Sequence, residues 1–284
     1  MLALSVSLPL VAQKTQENLT EIPTSVQTTA LLDAGGPQQR EAIQSIFLIA
    51  CPVTQSAGTG FLLDTGVIVT NAHVVKGCSS VNAYALATDN HRVQFRKVIS
   101  DEARDLALLI PATPQGNGLK LSTDRDPLPG TVVSTWGYPF LFNGTTPLLS
   151  VGYVSGYRMD QSHARVTKHL ILNAAINHGN SGGPLLLSQQ NSVIGVVVAT
   201  YVFFPPYVRQ MLDELEKAGG AWYWGIRLAR PDGTQQFIGG SQWQVMGLLF
   251  DQFYDKTQTM IGEAISASEI VAMIKEHKQE LDAK

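Results

Sequence analysis

The 284-residue chain is poor in cysteine, in charged residues and in long apolar runs. Its two cysteines are too few for the disulfide framework of a small secreted domain. Lys and Arg number 20 against 23 Asp and Glu, and no dense basic run is present, so we expect no nucleic-acid partner. No segment approaches the roughly 20 apolar residues that span a bilayer, so we expect no stable membrane insertion.

The chain does contain enough apolar sequence for a full-sized core. Hydrophobic residues make up 44% of it and charged residues 15%, a balance typical of globular proteins rather than of disordered ones. The length suits one compact unit, which could consist of two sub-barrels.

The first 40 residues differ in composition from the rest of the chain. Leu2–Ala12 is apolar and about as long as the hydrophobic region of a signal peptide, but no basic segment precedes it. Gln13–Gln39 is rich in Thr, Gln, Pro and Gly, with little apolar periodicity. We therefore predict that residues 1–40 are a leader or linker, with a degenerate signal peptide as one interpretation. We expect an extracytoplasmic location, periplasmic or secreted, with the cytoplasm as the alternative.

From Glu41 to about Val202 the sequence is a succession of short β-rich runs separated by turn residues. The predicted strands are Ser45–Ala50, Gly60–Leu63, Val67–Thr70, Val81–Ala87, Val93–Ile99, Leu106–Ile110, Thr131–Trp136, Leu148–Tyr153, His169–Asn173 and Val193–Ala199. Many short strands at this spacing favour a sandwich or a barrel over alternating strands and helices. Two amphipathic segments, Pro206–Ala218 and Ser268–Leu281, predict helices near the end of the chain.

The strongest local motif is Gly179–Pro184, which reads Gly-Asn-Ser-Gly-Gly-Pro. A serine hydroxyl is a weak nucleophile at neutral pH, so it must be exposed and paired with a base. The glycines around Ser181 permit a tight turn and leave room for a scissile peptide. In such a turn the backbone N–H groups of Gly179 and Ser181 can point together at a developing oxyanion.

Two further motifs supply groups that could activate this serine. Thr70–Val75 puts His73 at the end of an apolar run, where a strand passes into a short helical turn. Arg104–Leu109 puts Asp105 at the head of another apolar strand, where its carboxylate can be buried facing an imidazole. The order along the chain is His, Asp, Ser.

In these motifs the chain resembles the chymotrypsin-like serine peptidases, and within them the bacterial HtrA-type branch. The matching segments are Gly58–Phe61, Thr70–Val75, Asp105–Leu109, Gly152–Gly156, Asn173–Leu185 and, more weakly, Ile261–Ser266. HtrA proteins usually carry a PDZ module after the peptidase domain. We expect none here, because the chain ends at Lys284, soon after its closing helix.

The resemblance implies an all-β fold of two six-stranded antiparallel barrels, with a C-terminal helix and a helix-containing insertion. Residues 41–284 would form the peptidase domain. Its first barrel would lie at about 41–125, its second at about 126–284, and the insertion at about 202–259.

The resemblance also implies the chemistry and the site residues. His73 would act as general base, Asp105 would fix the tautomer of the imidazole, and Ser181 would form an acyl-enzyme. Gly179, Asn180 and Ser181 would line the oxyanion hole. This chemistry needs no metal and no organic cofactor, and its partner is a protein or peptide substrate.

Departures from the family pattern predict specificity and activation. Digestive trypsins carry an Asp six residues before the nucleophile, at the base of the pocket that receives substrate Lys or Arg. Here Ala175 takes that position and Ile176 follows it. Because a neutral pocket cannot compensate the desolvation of a cation, we predict preference for small or aliphatic side chains such as Val, Ala or Leu. Asn180 replaces the Asp of zymogen-activated members, so we expect no maturation of that type.

Two features of the sequence leave alternatives open. Cys51 and Cys78 flank His73, so a disulfide could pin the histidine loop in an oxidising compartment, or both could be buried thiols. About 55 residues, Tyr201–Thr259, intervene where HtrA-type chains pass quickly to the next strand. Long loops of this kind are usually functional. This one could be a lid, but we favour a contact in a homo-oligomer or an extra hairpin.

Competing interpretations concern both the residues and the fold. Asp101, a second acid near Asp105, is interpreted as a solvated turn, and His178 as either a cleft residue or an exposed loop residue. The remaining histidines are interpreted as surface or packing residues: His91, His163, His169 and His277.

The alternative function is a catalytically idle or latent binding protein on the same barrels. An α/β-hydrolase is disfavoured, because its acid and histidine follow the serine.

Overall fold

The computed structural model describes residues 36–124, 126–140, 146–161, 164–200, 223–229, 235–241, 244, 246–247, 250 and 260–282. The first described element is a helix, α1 (Pro37–Gln44), with proline in its first turn, where a missing N–H costs nothing. The helix crosses residue 40, where we predicted the leader to meet the first barrel. Its polar sequence, rich in Gln, carries little of the apolar periodicity that would have revealed it.

Six strands close into a first barrel in the order β1-β2-β3-β6-β5-β4. They are β1 (Ile46–Cys51), β2 (Ser56–Leu62), β3 (Ile68–Thr70), β4 (Tyr84–Ala87), β5 (Arg92–Asp101) and β6 (Leu106–Pro111). Every neighbouring pair in this barrel runs antiparallel. β1 and β6 are apolar runs without alternation because both of their faces are buried.

A second closed barrel has the order β10-β11-β14-β9-β8-β7. In chain order its first strands are β7 (Val132–Gly137), β8 (Leu148–Asp160), β9 (Thr167–Asn173), β10 (Pro184–Leu187) and β11 (Ser192–Thr200). The strands β12 (Tyr223–Ala229) and β13 (Gln235–Ser241) come next in the chain, and β14 (Ile261–Ser266) completes the barrel. The predicted pair of six-stranded barrels is confirmed.

Each barrel has an interior cluster of apolar side chains, and a third cluster joins the barrels. The joining cluster takes Ile46 and Leu108 from the first barrel, and Trp136 and Val196 from the second. Burial of apolar surface contributes about 25 cal/mol of free energy per Å². The shared cluster therefore stabilises the packing of one barrel against the other.

The chain closes with two helices, α2 (Ala267–Glu276) and α3 (Lys278–Asp282), where we predicted one continuous helix. The side chain of Ser266 caps α2 by accepting a hydrogen bond from the backbone N–H of Ser268. The helix continues from a strand of the second barrel. Its apolar face, with Ile270 and Met273, nevertheless joins the cluster that contains first-barrel residues.

Residues Thr200–Ile261 form a separate compact unit. Within it β12 and β13 pair as an antiparallel two-stranded sheet, with Tyr223 opposite Ser241. The helix predicted at Pro206–Ala218 lies outside the described residues. In the part of the chain that the structure describes, no helix combines the length and the apolarity needed to cross a bilayer.

Candidate active site

Strand pairing brings His73 and Asp105 together at one end of the first barrel. His73 opens a short 3₁₀ helix (His73–Val75) just after β3, and Asp105 immediately precedes β6. β3 and β6 are antiparallel neighbours, with Thr70 opposite Ala107. The end of one strand therefore lies beside the beginning of the other, and the two side chains meet there.

Hydrogen bonds fix the relative orientation of the two side chains. His73 Nδ1 lies 2.8 Å from Asp105 Oδ2 and 3.0 Å from Oδ1. The backbone N–H of His73 also donates to Asp105 Oδ1 at 3.0 Å. Because an ionised carboxylate only accepts, Nδ1 carries the proton and Nε2 is left as an acceptor. The imidazole is 47% exposed and the carboxylate 14% exposed, so the base can reach a substrate and the acid is sheltered.

Asp105 has an uncommon backbone conformation for a residue with a side chain. Its φ is +53°, in the left-handed region. The side-chain amide of Asn71, a fully buried residue, donates to the Asp105 carbonyl at 3.0 Å. Holding such a residue costs on the order of 1 kcal/mol or more, so the surrounding contacts must maintain it.

Ser181 lies between β9 and β10, and its hydroxyl donates to the Val198 carbonyl at 2.8 Å. Among the described residues, no hydrogen bond joins Ser181 to His73. The structure therefore contains the base and acid as a bonded pair, with the serine hydroxyl directed at the backbone of β11.

Backbone hydrogen bonds orient the turn that precedes the serine. The His178 carbonyl accepts from the N–H of Phe140 at 3.0 Å, and the Asn180 carbonyl accepts from Gly183 at 2.9 Å. In a trans peptide the N–H points opposite to the C=O, so the N–H groups of Gly179 and Ser181 point away from these partners. Neither N–H has an acceptor among the described residues.

Asn180 and Gly179 differ in what they can contribute to an oxyanion hole. The backbone N–H of Asn180 donates to the Asn177 carbonyl at 3.0 Å, which commits it to the turn. Gly179 has φ +98°, and a Cβ there would lie 2.1 Å from the Tyr138 carbonyl oxygen. A side chain is therefore excluded at Gly179 both by its backbone conformation and by the space around it.

Thr59, on β2 of the first barrel, binds the serine turn of the second. Its hydroxyl donates to the Gly179 carbonyl at 2.6 Å, and its backbone N–H donates to the Ser181 carbonyl at 2.8 Å. The Tyr138 N–H in turn donates to the Thr59 hydroxyl at 3.0 Å. Sequence reasoning used Thr59 only as part of a matching motif; its contact depends on strand packing that a single sequence does not reveal.

Cys51 and Cys78 form a disulfide in the structure, with their Cα atoms 5.9 Å apart. Cys51 ends β1, and Cys78 follows the 3₁₀ helix that begins at His73. The bridge therefore links the histidine loop to the strand beneath it, one of the two arrangements that the sequence left open.

The residues predicted to shape the specificity pocket are only partly accessible. Ile176 is 1% exposed and packs in the interior cluster of the second barrel, whereas Ala175 is half-buried. A Cβ on Gly262 would lie 2.2 Å from Ile176 Cδ1, so Gly262 leaves room for that side chain. His178, three residues before Ser181, has an exposed side chain.

Asp101 is not the solvated turn residue that we expected. Its Oδ1 accepts from the backbone N–H groups of Ala103 and Arg104, and its carboxylate pairs with the Arg104 guanidinium. Sequence reasoning missed Arg104 because its other partners, Glu269 and Glu276, are distant in the chain.

The remaining histidines differ in their surroundings. His169 is buried against Glu263, and His91 and His277 pair with nearby acids. His163 lies outside the described residues.

Among the described residues, no three His, Cys, Asp or Glu side chains are grouped as metal ligands. The side chains that meet at this site are those of His73 and Asp105, a pair suited to acid–base chemistry.

Comparisons with known proteins show what the chain resembles in sequence. A family model described as a trypsin-like peptidase domain matches residues 58–196. The chain is 36% identical over 156 residues to Protease Do-like 1, chloroplastic, of Arabidopsis thaliana, covering 52% of this chain and 34% of that protein. It is 37% identical over 163 residues to the magnetosome formation protease MamE of Paramagnetospirillum magneticum, covering 54% and 21%. The chain thus spans about a third or less of the length of these relatives.

Solved structures share the fold at low sequence identity. The active form of the Rv3671c protease from M. tuberculosis superimposes with a TM-score of 0.57 at 17% identity, covering all of this chain and 95% of that one. The HtrA-type protease AlgW with a tripeptide gives 0.55 at 21% identity, covering 85% of this chain and 63% of that one. At such identities the likeness shows the fold alone.

Proposed function

We propose that this chain is a serine endopeptidase. The match of residues 58–196 to a model described as a trypsin-like peptidase domain and the similarity to a Do-like protease support this proposal. His73, Asp105 and Ser181 are its catalytic residues. The observation that carries the proposal is the hydrogen bond between His73 Nδ1 and the Asp105 carboxylate, 2.8 Å, at the barrel end where Nε2 is free to accept.

Catalysis begins when the Ser181 hydroxyl leaves the Val198 carbonyl and donates its hydrogen to His73 Nε2. Ser181 Oγ attacks the scissile carbonyl carbon, and its proton passes to Nε2. The N–H groups of Gly179 and Ser181 stabilise the oxyanion of the tetrahedral intermediate. The C–N bond then breaks, and the leaving amine takes the proton from His73.

The acyl-enzyme is hydrolysed by the same groups. Water loses a proton to His73 Nε2 and attacks the ester carbonyl, and the proton then returns to Ser181 Oγ as the product acid departs. Asp105 stays ionised throughout, holds the proton of Nδ1 and stabilises the imidazolium.

The first test is labelling with a fluorophosphonate probe, which forms a stable bond only with an activated serine. We expect the wild type to be labelled at neutral pH and to degrade casein, and Ser181→Ala to do neither. Ser188→Ala is the matched control, because Ser188 follows β10 of the same barrel, is half-buried like Ser181 and lies outside the segments that match the peptidase motifs. Labelling that persists in Ser181→Ala would contradict the assignment.

A latent or idle protein is the second candidate, and the bond from Ser181 to Val198 favours it. A folded wild type that neither reacts with the probe nor cleaves casein would support it. The same protein would then be assayed with a panel of peptides, because occupation of the cleft could redirect the serine hydroxyl to the histidine.

Substrate preference follows from the neutral residues at the predicted pocket. We propose that the enzyme cleaves after small or aliphatic side chains, since neither Ala175 nor Ile176 can neutralise a buried cation. The kcat/KM values of matched peptides with Val, Ala, Leu or Arg before the scissile bond test this. Equal or faster cleavage after Arg would contradict it.

Partners and location are proposed with the support of similar proteins. The substrates are proteins or peptides. The chain could also assemble into a homo-oligomer, which light scattering of the purified chain would detect. We propose an extracytoplasmic location. A relative from Hahella chejuensis named "Probable periplasmic serine endoprotease DegP-like" supports it, with 32% identity over 143 residues that cover 29% of that protein. The Cys51–Cys78 disulfide supports it too, because such bonds persist in oxidising compartments.

A further inference from the structure

The residue before the proposed catalytic acid is a buried cation. The Arg104 side chain is 1% exposed, and it is the largest of the fully buried side chains of the described residues. Its guanidinium pairs with Asp101, approaches Glu276 Oε1 to 2.6 Å through Nη2, and approaches Glu269 Oε2 to 3.4 Å through Nε. An uncompensated buried charge is strongly destabilising, so these carboxylates are required by the burial of Arg104.

Two of the three carboxylates belong to one helix of the distant C-terminal segment. Glu269 and Glu276 are seven residues apart on α2, which places them on the same helix face two turns apart. Glu276 lies in the last turn, where the helix dipole disfavours a negative charge. A cation that pairs with the Glu276 carboxylate offsets that cost. Arg104 does so, and Arg165 Nη2 also lies 3.3 Å from Glu276 Oε1.

The third carboxylate connects the cation to the backbone of the acid-bearing turn. Asp101 Oδ1 accepts from the N–H groups of Ala103 at 2.9 Å and Arg104 at 3.1 Å, while its other oxygen pairs with the guanidinium. The turn closes with the N–H of Asp105 bonded to the Glu102 carbonyl at 3.4 Å. The residue that follows this fixed turn is Asp105, with its left-handed backbone.

We propose that Arg104 is a positioning residue for Asp105: its buried ion pairs with Asp101, Glu269 and Glu276 hold the 101–105 turn so that the Asp105 carboxylate faces His73. The inference rests on the proposed function. It assigns to α2 a second task besides packing, because the helix supplies two of the groups that fix the guanidinium. No substrate contact by Arg104 is involved.

The test compares Arg104→Met, which keeps the length but removes the charge, with Arg104→Lys, which keeps the charge but loses the planar fork. Arg96→Met, an exposed arginine of the same barrel, is the matched control. For Arg104→Met we expect kcat to fall by between about 10- and 100-fold with KM within about twofold, because orientation rather than binding is lost. Arg104→Lys should recover part of the loss, and Arg96→Met should match the wild type.

Two readouts separate positioning from a merely structural role. The low-field proton resonance of His73 Nδ1–H reports its hydrogen bond to Asp105, and it should weaken or shift in Arg104→Met but not in Arg96→Met. In an Asp105→Asn background, Arg104→Met should lower the remaining kcat by less than about twofold, because groups that act as a unit are not additive. A folded Arg104→Met with wild-type kcat and resonance would overturn the inference, as would an undiminished loss in the Asp105→Asn background.

The same measurements distinguish failure of this inference from failure of the proposed function. If Arg104→Met does not fold, Glu276→Ala takes its place, with the same expected and overturning results, since it keeps the arginine and removes the carboxylate 2.6 Å from it. If the wild type is not labelled by the fluorophosphonate probe, the proposed function fails. The His73 resonance in the variants then still decides whether Arg104 orients Asp105.

Discussion

The two barrels contribute to the candidate site by different means. The first barrel contributes side chains that bond to each other: His73 to Asp105, and the acid-bearing turn to Arg104. The second contributes a serine turn whose carbonyls accept hydrogen bonds, two of them from Thr59 of the first barrel, and whose Gly179 has no space for a Cβ. We therefore expect the part of the site on the first barrel to be sensitive to changes of charge, and the part on the second barrel to be sensitive to added volume. A single substitution in each barrel can test this difference.

The largest expected effect is on the charge-sensitive side. Asp105→Asn keeps the shape of the side chain but presents a donor to His73 Nδ1, which stabilises the wrong tautomer. We expect kcat to fall by about 10⁴-fold with the fold intact, the effect of this exchange in other Ser-His-Asp enzymes. The matched control is Asp89→Asn, at an exposed His–Asp pair of the same barrel, 2.5 Å to His91. A comparable loss in the control would show that the effect is not specific to the site.

The second prediction adds volume on the other side. Gly179→Ala introduces a Cβ 2.1 Å from the Tyr138 carbonyl at φ +98°, so the turn must shift and its N–H leaves the oxyanion position. We expect kcat to fall by about 10²- to 10³-fold, as when one oxyanion donor is removed. Gly130→Ala is the control, because Gly130 has φ +89° but open space around it. Gly130→Ala should leave kcat unchanged and cost about 1 to 2 kcal/mol of stability. An unchanged kcat in Gly179→Ala would show that the second barrel is not sensitive to added volume at this turn.

The third prediction concerns the covalent link within the first barrel. Replacing Cys51 and Cys78 together by serine frees a loop with a sequence separation of 27 residues. We expect the free energy of unfolding to fall by about 3 kcal/mol, measured by urea denaturation. Dithiothreitol should lower the midpoint of the wild type and leave that of the double variant unchanged. A wild type that does not respond to reduction would contradict the bridge.

The smallest expected effect is a pH dependence at the ion pairs of α2. The hydrogen bond from Arg104 lowers the pKa of Glu276 below its ordinary value of 4.5. A lowered pKa in the folded state gives stability that is present above about pH 4.5 and is lost as the pH falls below it. Glu276→Gln should therefore be less stable than the wild type at pH 6, and the difference should be smaller at pH 3, because the contribution of the ionised carboxylate is lost as the pH falls below 4.5.

Urea denaturation at the two pH values measures this difference. Glu280→Gln provides a comparison, because bonds from Lys97 and His277 lower the pKa of Glu280 in the same way and lie outside the Arg104 cluster. A difference between Glu276→Gln and wild type that is independent of pH would contradict the assignment of the shift to the ion pair.

Much of the strand pattern could be predicted because apolar runs bounded by turn residues mark buried strands. Leu106–Ile110 was predicted and β6 is Leu106–Pro111. β8 was predicted to end at Tyr153 but reaches Asp160, because it continues through a bulge between Val154 and Gly156. Residue patterns alone left a sandwich and a barrel open; the resemblance to a known family decided between them.

The site could be predicted only where its residues lie inside local motifs. His73, Asp105 and Ser181 were found this way, although their activity stays a prediction. The ion pairs of Arg104 with Glu269 and Glu276 join residues more than 160 positions apart, and no local pattern indicates them. The direction of the Ser181 hydroxyl depends on a carbonyl of a neighbouring strand, which periodicity does not reveal.

The packing of α2 on the first barrel has a consequence for the order of synthesis. The first barrel leaves the ribosome early, yet the cluster that covers Ile46 and Leu108 is completed only by Ile270 and Met273, made some 160 residues later than the strand that carries Leu108. A nascent chain that lacks α2 therefore has an incomplete core. If the proposed function holds, the catalytic unit cannot complete its core, or the turn of Asp105 that α2 supports, until α2 has been made.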